Sequence, residues 1–399
     1  MKAVELFAGA GGLALGISLA GFSTEAVIEW NKSACETIRK NKERGFPLVS
    51  SWPLHEDDVR KFDYESIGDI DLLAGGPPCQ PFSLGGKHAA HEDDRDMFPA
   101  AVEAVRRLRP KAFIIENVKG LTRSAFSNYY HYIQLQFEFP EVIRKAGEDW
   151  QDHLHRLQAE KTSGKLHKGK YLTYNVVPTL ANAANYGVPQ RRERVFIVGF
   201  RNDLGIEWSF PDETHSADAL VFCQYVKTEY WDRHEISRRK RQKRSPSAES
   251  RIALLKKNGP PSLMPWKTVR DALNGLTDPE KQDSIFPDHQ YQPGARPYPG
   301  HTGSPLDLPA KTLKAGDHGV PGGENMMVKD DGSVRYFTIR ESARLQTFPD
   351  GYVFGGAWTE TMRQLGNAVP VQLSKVVAAS VAEKLVEAEM KSRIQERAS

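Results

Sequence analysis

"FAGAGGLALG", Phe7 to Gly16, follows an apolar run, and within it Gly9-Ala10-Gly11-Gly12-Leu13-Ala14 satisfies the G-x-G-x-x-G/A fingerprint of a dinucleotide site. A glycine-rich turn from strand to helix suits any ligand that must approach the backbone closely, so adenosine-containing cofactors of several classes fit it, nicotinamides among them. Working outward, "AVELF" (Ala3 to Phe7), a helix through Leu19, "TEAVIE" (Thr24 to Glu29), a helix through Lys40, "DIDLLAGG" (Asp69 to Gly76) and "AFIIENV" (Ala112 to Val118) alternate. This βαβα order predicts an α/β fold with a mostly parallel sheet and helices on both faces. Ligands of such sheets lie at the carboxyl ends of the strands, where Gly9, Glu29, Gly76 and Glu116 all fall. The alternating "YLTYNVVPTLANA" (Tyr171 to Ala183) and the apolar "RVFIVGF" (Arg194 to Phe200) complete the block.

The chain has 399 residues, 39% of them hydrophobic, which is ample for a core and leaves no mark of wholesale disorder. No apolar run is long enough to span a bilayer, and Lys2 leads straight into a core strand, so the expectation is a cytoplasmic protein without a leader. Three scattered cysteines, Cys35, Cys79 and Cys223, make neither a disulfide framework nor a zinc motif, and no metal is expected. Lys and Arg total 54 against 51 acidic residues, a net +3 that does not by itself call for a polyanionic partner. From Arg233 to Lys257, however, "RHEISRRKRQKRSPSAESRIALLKK" carries only Glu235 and Glu249 against its positive charge. That run reads either as a solvated loop or as a surface that meets phosphates.

Three regions follow from these shifts in character. Residues 1–200 form a cofactor-binding and catalytic domain, with a helical insertion at about 125–170 that ends in a polar, Lys-rich stretch. Residues 201–333, rich in Pro, Gly and turn dipeptides, lack a sustained helical period and predict a second domain of loops and short strands. Residues 334–399 return to the first domain: Thr338 and Glu341 make a capping box before a helix, and the amphipathic "VQLSKVVAASVAEKLVEAEMKSRIQ" packs back on it.

The segment that carries chemistry is "GGPPCQPFS", Gly75 to Ser83, which follows a buried strand. Its prolines stiffen a loop at the sheet's carboxyl edge and present Cys79, where a thiol has no packing reason to be, as a nucleophile. Cys35, inside a helix, and Cys223 read as inert buried thiols. Glu116 ends an apolar strand at the same edge, suited to donating a proton or accepting from an amino group, or else to capping the next helix. In "PQRRERVFIVGF", Arg192 and Arg194 alternate towards one face and offer cationic forks for an oxygen or carboxylate, or else form surface ion pairs.

Together these motifs resemble the C5-cytosine DNA methyltransferases of prokaryotic restriction-modification systems. The likeness rests on "FAGAGG" (Phe7 to Gly12), "GGPPCQPFS", "ENV" (Glu116 to Val118), "QRRER" (Gln190 to Arg194), "RESARLQTFP" (Arg340 to Pro349) and "GNAVP" (Gly366 to Pro370), in the family's order. The resemblance implies a Rossmann-like S-adenosylmethionine-dependent methyltransferase domain plus a smaller irregular target-recognition domain. C5 of cytosine is a poor nucleophile, so a thiolate must first add at C6, the role the resemblance gives Cys79. Glu116 then engages N3 and the exocyclic amine, Arg194 the carbonyl O2, and Arg192 stands beside the nucleophile and Glu116. The resemblance also implies the cofactor contacts: Phe7 and Trp30 on adenine, Gly9 and Gly12 near the methionine part, Glu29 on the ribose hydroxyls and Asp58 on the adenine amine. Val59, Pro78, Phe98 and Asn367 complete that pocket, and S-adenosylhomocysteine is the product.

The target base must be flipped out of a duplex, with the Cys79 loop closing over it from Ser83 to about Phe98. Gln80, Ser83 and Arg95 then touch DNA near the base, and Arg238, Arg239, Lys240 and Arg241 meet phosphates. The implied partners are double-stranded DNA and a separately acting restriction endonuclease; the enzyme is expected to act as a monomer, at no membrane, in the cytoplasm on the nucleoid. Two rivals use parts of the same pattern. A transfer RNA cytosine-5 methyltransferase shares the scaffold, but its Cys-Phe-Thr signature is absent and the recognition block here is long and basic. A nicotinamide-dependent oxidoreductase matches the glycines and Glu29 but leaves the Pro-Pro-Cys loop and the arginines without a task.

Overall fold

Strand β1 (Lys2–Leu6) lies inside the sheet, flanked on both sides: it pairs in parallel with β2 (Ser23–Glu29) and with β4 (Leu72–Gly75). The computed structural model describes residues 1–78, 96–164, 171–241, 246–281, 285–315 and 325–398. A short β3 (Leu54–Glu56) extends the sheet beyond β2, and β5 (Ala112–Val118) runs parallel to β4. The strand β7 (Glu193–Arg201) pairs antiparallel with β5, and β6 (Tyr174–Asn182) lies outermost, giving the order β3-β2-β1-β4-β5-β7-β6. Pro178 in β6 has no N–H to donate to a ladder, which an edge position tolerates. The fold is a Rossmann-like α/β sheet, and its order reverses between β2 and β4 around β1, where ligands of such sheets bind.

Helices α1 (Gly12–Leu19), α2 (Lys32–Glu43) and α3 (Phe98–Leu108) follow β1, β2 and β4. In the 125–170 region, α4 (Ser127–Glu138) and α5 (Trp150–Ser163) are amphipathic, and Tyr132, Ile133, Phe137, Leu154 and Leu157 join the main apolar core with Phe113 and Ile115 of β5. Residues Met1–Ala181, Glu193–Pro211 and Ser374–Ser399 make one compact unit; Asn182–Arg192 and Asp212–Leu373 make a second. The domain ends therefore fall elsewhere than the sequence led us to expect: residues 334–373 group with the second unit, as does the short stretch that carries Arg192.

The second unit holds more helix than its composition announces. Helices Ala217–Val221, Glu229–Arg233, Pro246–Asn258 and Val269–Leu273 lie in the block expected to be loops and short strands. Ser216 caps the first by accepting the Ala219 N–H, and Thr268 with Asp271 forms a capping box on the last. These helices gather Leu220, Cys223, Tyr230 and Trp231 into a small apolar cluster. The capping box of Thr338 and Glu341 is present at the head of helix Ile339–Leu345, and Glu341 also holds Arg335 at 2.5 Å in a buried ion pair. No described helix is long and apolar enough to cross a membrane.

Candidate functional site

The turn after β1 is fastened by the neighbouring strand. Glu29, buried at the end of β2, accepts the Gly9 N–H at 2.7 Å on one carboxylate oxygen and the Asn31 N–H at 2.7 Å on the other. Gly9 and Gly11 have φ of +55° and +79°, in the left-handed region that glycine enters without a Cβ penalty. Phe7 also has φ +55°, a conformation costly for an aromatic residue and held only where the surroundings impose it. Helix α1 begins immediately afterwards with Gly11 as its cap, and the buried Glu5 carboxylate of β1 accepts the Ala14 N–H in its first turn. Trp30, directly after Glu29, is 66% exposed, so its indole face is open for stacking.

The other residues expected around a nucleoside are in mixed positions. Asp58 is gripped by Arg60, whose Nη2 lies 2.5 Å from Oδ2, and that hydrogen bond holds its carboxyl below the usual range. Val59 and Phe98 are buried in the main core. Pro78 is exposed, and its carbonyl accepts the Met97 N–H at 3.3 Å, so the two ends of the intervening segment are tied together. Asn367 ends the helix Trp358–Asn367 of the second unit with an exposed side chain. Cys79, Gln80, Ser83 and Arg95 lie outside the described residues.

At the carboxyl end of β5, Glu116 is buried against Arg194 of β7, with Nε 2.8 Å from Oε1. Burial lowers the pKa of the Arg194 guanidinium and the charge of Glu116 opposes the shift, while Arg194 Nη1 donates to the Glu193 carbonyl at 2.8 Å. Gly76 supplies room beside this carboxylate: a Cβ there would stand 3.2 Å from Glu116 Oε2. Asn117 Nδ2 donates to the Pro77 carbonyl at 3.0 Å, fixing the Pro-Pro segment to the strand that carries Glu116. Sequence reasoning gave Asn31, Gly76 and Asn117 no such tasks; the available signal was that each adjoins a residue already singled out.

Arg192 requires a correction. It precedes β7 and belongs to the second unit, where its fully buried guanidinium donates to the carbonyls of Leu313 (3.1 Å), Gly366 (2.6 Å) and Ala368 (2.9 Å). Those contacts make it a brace between backbone segments of that unit, while Arg194, in the first unit, pairs with Glu116. The strand starts only at Glu193, so the two arginines do not alternate along one strand.

In the basic run, Arg238, Arg239 and Lys240 form an exposed turn, as a phosphate-facing surface requires. Arg241 differs: its guanidinium lies 5.6 Å from the Trp231 ring centre and 3.8 Å from Asp232. Cys35 donates to the Glu29 carbonyl at 3.3 Å, and burial with the nearby Glu29 charge pushes its thiol up to about 12, so it is no nucleophile at neutral pH. Among the described residues no three His, Cys, Asp or Glu side chains are grouped to hold a metal ion.

Comparison with known proteins identifies the family. The model of the C-5 cytosine-specific DNA methylase family matches residues 1–139 and 153–383. The chain is 30% identical over 383 residues to the type II methyltransferase M.NgoMIV of Neisseria gonorrhoeae, covering 95% of this chain and 96% of that one. It is 31% identical over 388 residues to the type II methyltransferase M.Eco47II of Escherichia coli, covering 95% and 78%. Among solved structures, S. pombe Dnmt2 has a TM-score of 0.54 at 16% identity, over 96% of this chain and 99% of that one. The Entamoeba histolytica methyltransferase EhMeth has 0.55 at 13%, over 96% and 98%; both are likenesses of fold.

Proposed function

Because this chain belongs to the C-5 cytosine-specific DNA methylase family and is a DNA (cytosine-5-)-methyltransferase of the restriction-modification type, we propose that it methylates a flipped-out cytosine through a covalent adduct at Cys79. The observation that carries this reading is the buried Glu116–Arg194 pair at the carboxyl edge of the sheet, tied through Asn117 and Pro77 to the segment that leads into Cys79. A carboxyl group in that place, given space by Gly76, suits the N3 and exocyclic amine edge of cytosine.

The family's cofactor, S-adenosylmethionine, supplies a methyl group on a sulfonium when bound. The residues at the β1–α1 turn fit it: a glycine backbone in the left-handed region, the clamped Glu29 carboxylate and the exposed Trp30 ring. In the proposed sequence, the Cys79 thiolate forms an Sγ–C6 bond and the C5–C6 π pair makes C5 nucleophilic, so that C5 would take the methyl group as its bond to the donor's sulfonium sulfur breaks, the pair staying on sulfur as a neutral thioether. Glu116 holds N3 and the amine as charge develops there, and Arg194 keeps Glu116 in position. The C5 proton then leaves to solvent, and the Cys79–C6 bond breaks to restore the aromatic ring. Arg238, Arg239 and Lys240 contact duplex phosphates, and an endonuclease cutting the same sequence acts separately.

A duplex carrying 5-fluorocytosine at the methylated position tests the adduct, because fluorine cannot leave C5 as a proton does. The native chain should give a denaturant-resistant complex and Cys79→Ala none. A native chain that turns over fully and is never trapped would overturn the covalent route.

A further inference from the structure

The helical insertion at about 125–170 carries no motif, yet one of its side chains is bonded to the backbone that leads to Cys79. Asp96 and Met97 stand where the chain enters α3. Asp96 Oδ1 accepts the N–H of Phe98, the first residue of α3, at 3.1 Å, and Asp96 Oδ2 accepts the hydroxyl of Tyr129 in α4. Between Asp96 and Phe98, the Met97 N–H donates to the Pro78 carbonyl at 3.3 Å, and Cys79 is the residue after Pro78. Pro77, one residue earlier, accepts from Asn117 of β5 at 3.0 Å. The backbone that enters Cys79 is therefore fastened twice, to the strand of Glu116 through Asn117 and to α4 through Met97, Asp96 and Tyr129.

Tyr129 is itself held in place. It is buried, and its ring stands edge-on to Trp150 of α5 with centres 5.4 Å apart and lies 5.8 Å from the ring of Tyr132. Trp150 opens α5 behind Asp149, whose carboxylate accepts the Gln151 and Asp152 N–H groups, and it falls in residues 140–152, outside the family match. Packing alone would be served as well by phenylalanine, so what tyrosine adds at this position is the hydroxyl on Asp96. A hydroxyl on a ring packed against two others has few directions open to it and can set the place of the carboxylate that it meets.

We propose that Asp96 and Tyr129 are positioning residues for Cys79, through which the insertion fixes the place from which the thiolate meets C6 of the base. This rests on the covalent reading given above. Neither side chain touches the substrate; both act through Met97 and Pro78. Because a displacement of about 1 Å at a reacting atom can cost a hundredfold in rate, loss of the tie should show in the chemical step and not in binding.

The rate at which a 5-fluorocytosine duplex is trapped, at saturating duplex and S-adenosylmethionine, tests the proposal, with cofactor affinity and urea unfolding measured alongside. Tyr129→Phe keeps the ring and removes only the hydroxyl; it should slow trapping about tenfold or more, with cofactor affinity within about threefold of native. Asp96→Ser keeps an acceptor near the Phe98 N–H, but its shorter side chain falls short of Tyr129, and it should slow trapping by a similar factor. The double variant should trap within about threefold of the slower single, since both substitutions remove one link. Tyr132→Phe breaks the buried bond to His153 elsewhere on α4, and should lower stability while leaving trapping at the native rate. Native trapping by Tyr129→Phe overturns the proposal, as does an additive double variant or an equal slowing by Tyr132→Phe. A native chain that is never trapped is a different result: it removes the covalent route, and this positioning role with it.

Discussion

Replacing Arg192 separates a backbone brace from the catalytic role that the family resemblance implies for it. Its guanidinium is fully buried and donates to three main-chain carbonyls, those of Leu313, Gly366 and Ala368. Arg192→Ala leaves three buried acceptors without a donor, at ~1–3 kcal/mol each, so the second unit should lose roughly 3–9 kcal/mol. A domain holding 5–15 kcal/mol in total would then lie near its threshold, and much of the variant should be insoluble or proteolysed. Arg192→Lys is the sharper variant, because an ammonium reaches one or two of the three carbonyls and cannot fork across them. It should lose about 2–4 kcal/mol in urea unfolding while its single-turnover methylation rate, per folded molecule, stays within about threefold of native. A lysine variant with native stability and a rate lowered a hundredfold would refute the brace and return Arg192 to the chemistry.

Three further outcomes are expected. Glu116→Gln keeps shape but weakens the hold on N3, and should lower the single-turnover rate by roughly two orders of magnitude with cofactor affinity unchanged; an unchanged rate would leave Glu116 a structural partner of Arg194 only. Buried His153 accepts from Tyr132 Oη and donates to the Val142 carbonyl, and burial lowers its pKa below 6.5. Its folded-state pKa being the lower one, its contribution is present above pH ~6.5 and lost as pH falls, so His153→Gln should flatten the acid limb of a melting-temperature profile. Neutralising Arg238, Arg239 and Lys240 together should weaken binding to cognate and scrambled duplexes alike and reduce the salt slope by up to about three, whereas Arg241→Gln, which unstacks Trp231, should lower stability.

Most of the central sheet was legible because its strands are apolar runs that end at glycine, proline or an acid, and burial on both faces demands such runs. The strand Leu54–Glu56 was not, since "LHE" is three residues with one apolar member and pairs with β2. Helices of the second unit escaped notice for a related reason: five residues, as in Ala217–Val221, are too few to show a period. Their capping residues, Ser216 and the pair Thr268 and Asp271, were the readable signal. At the candidate site, Glu29 and Glu116 were legible because each ends a strand, while Arg192 and Arg194 were inseparable: two residues apart they look equivalent, and only the change of unit between them distinguishes a backbone brace from a partner of Glu116. The glycine turn by itself left the cofactor class open, and the remaining motifs removed the nicotinamide reading.

The second half of the opening stretch has a different purpose from the first. Gly9 and Gly11 adopt the left-handed backbone the turn requires, but Gly16 lies inside α1 with ordinary backbone, and a Cβ there would come 2.3 Å from Ser374 Oγ. Ser374, in the last helix, donates that hydroxyl to the Leu13 carbonyl at 2.7 Å, and further along the same helix Ser380 accepts from Trp208 Nε1 and Glu389 pairs with Lys111. Residues Gly12 to Ile17 of α1 are all buried, as an all-round apolar helix must be. The helix that follows the glycine turn is thus held by a residue 361 positions later in the chain. A side chain at Gly16 would push α1 off that clamp and shift Gly9 away from Glu29 without touching a ligand atom. The ten residues from Phe7 to Gly16 therefore fix two things at once: Gly9 and Gly11 shape the turn, and Gly16 sets how closely the closing helix can seat the helix that follows it.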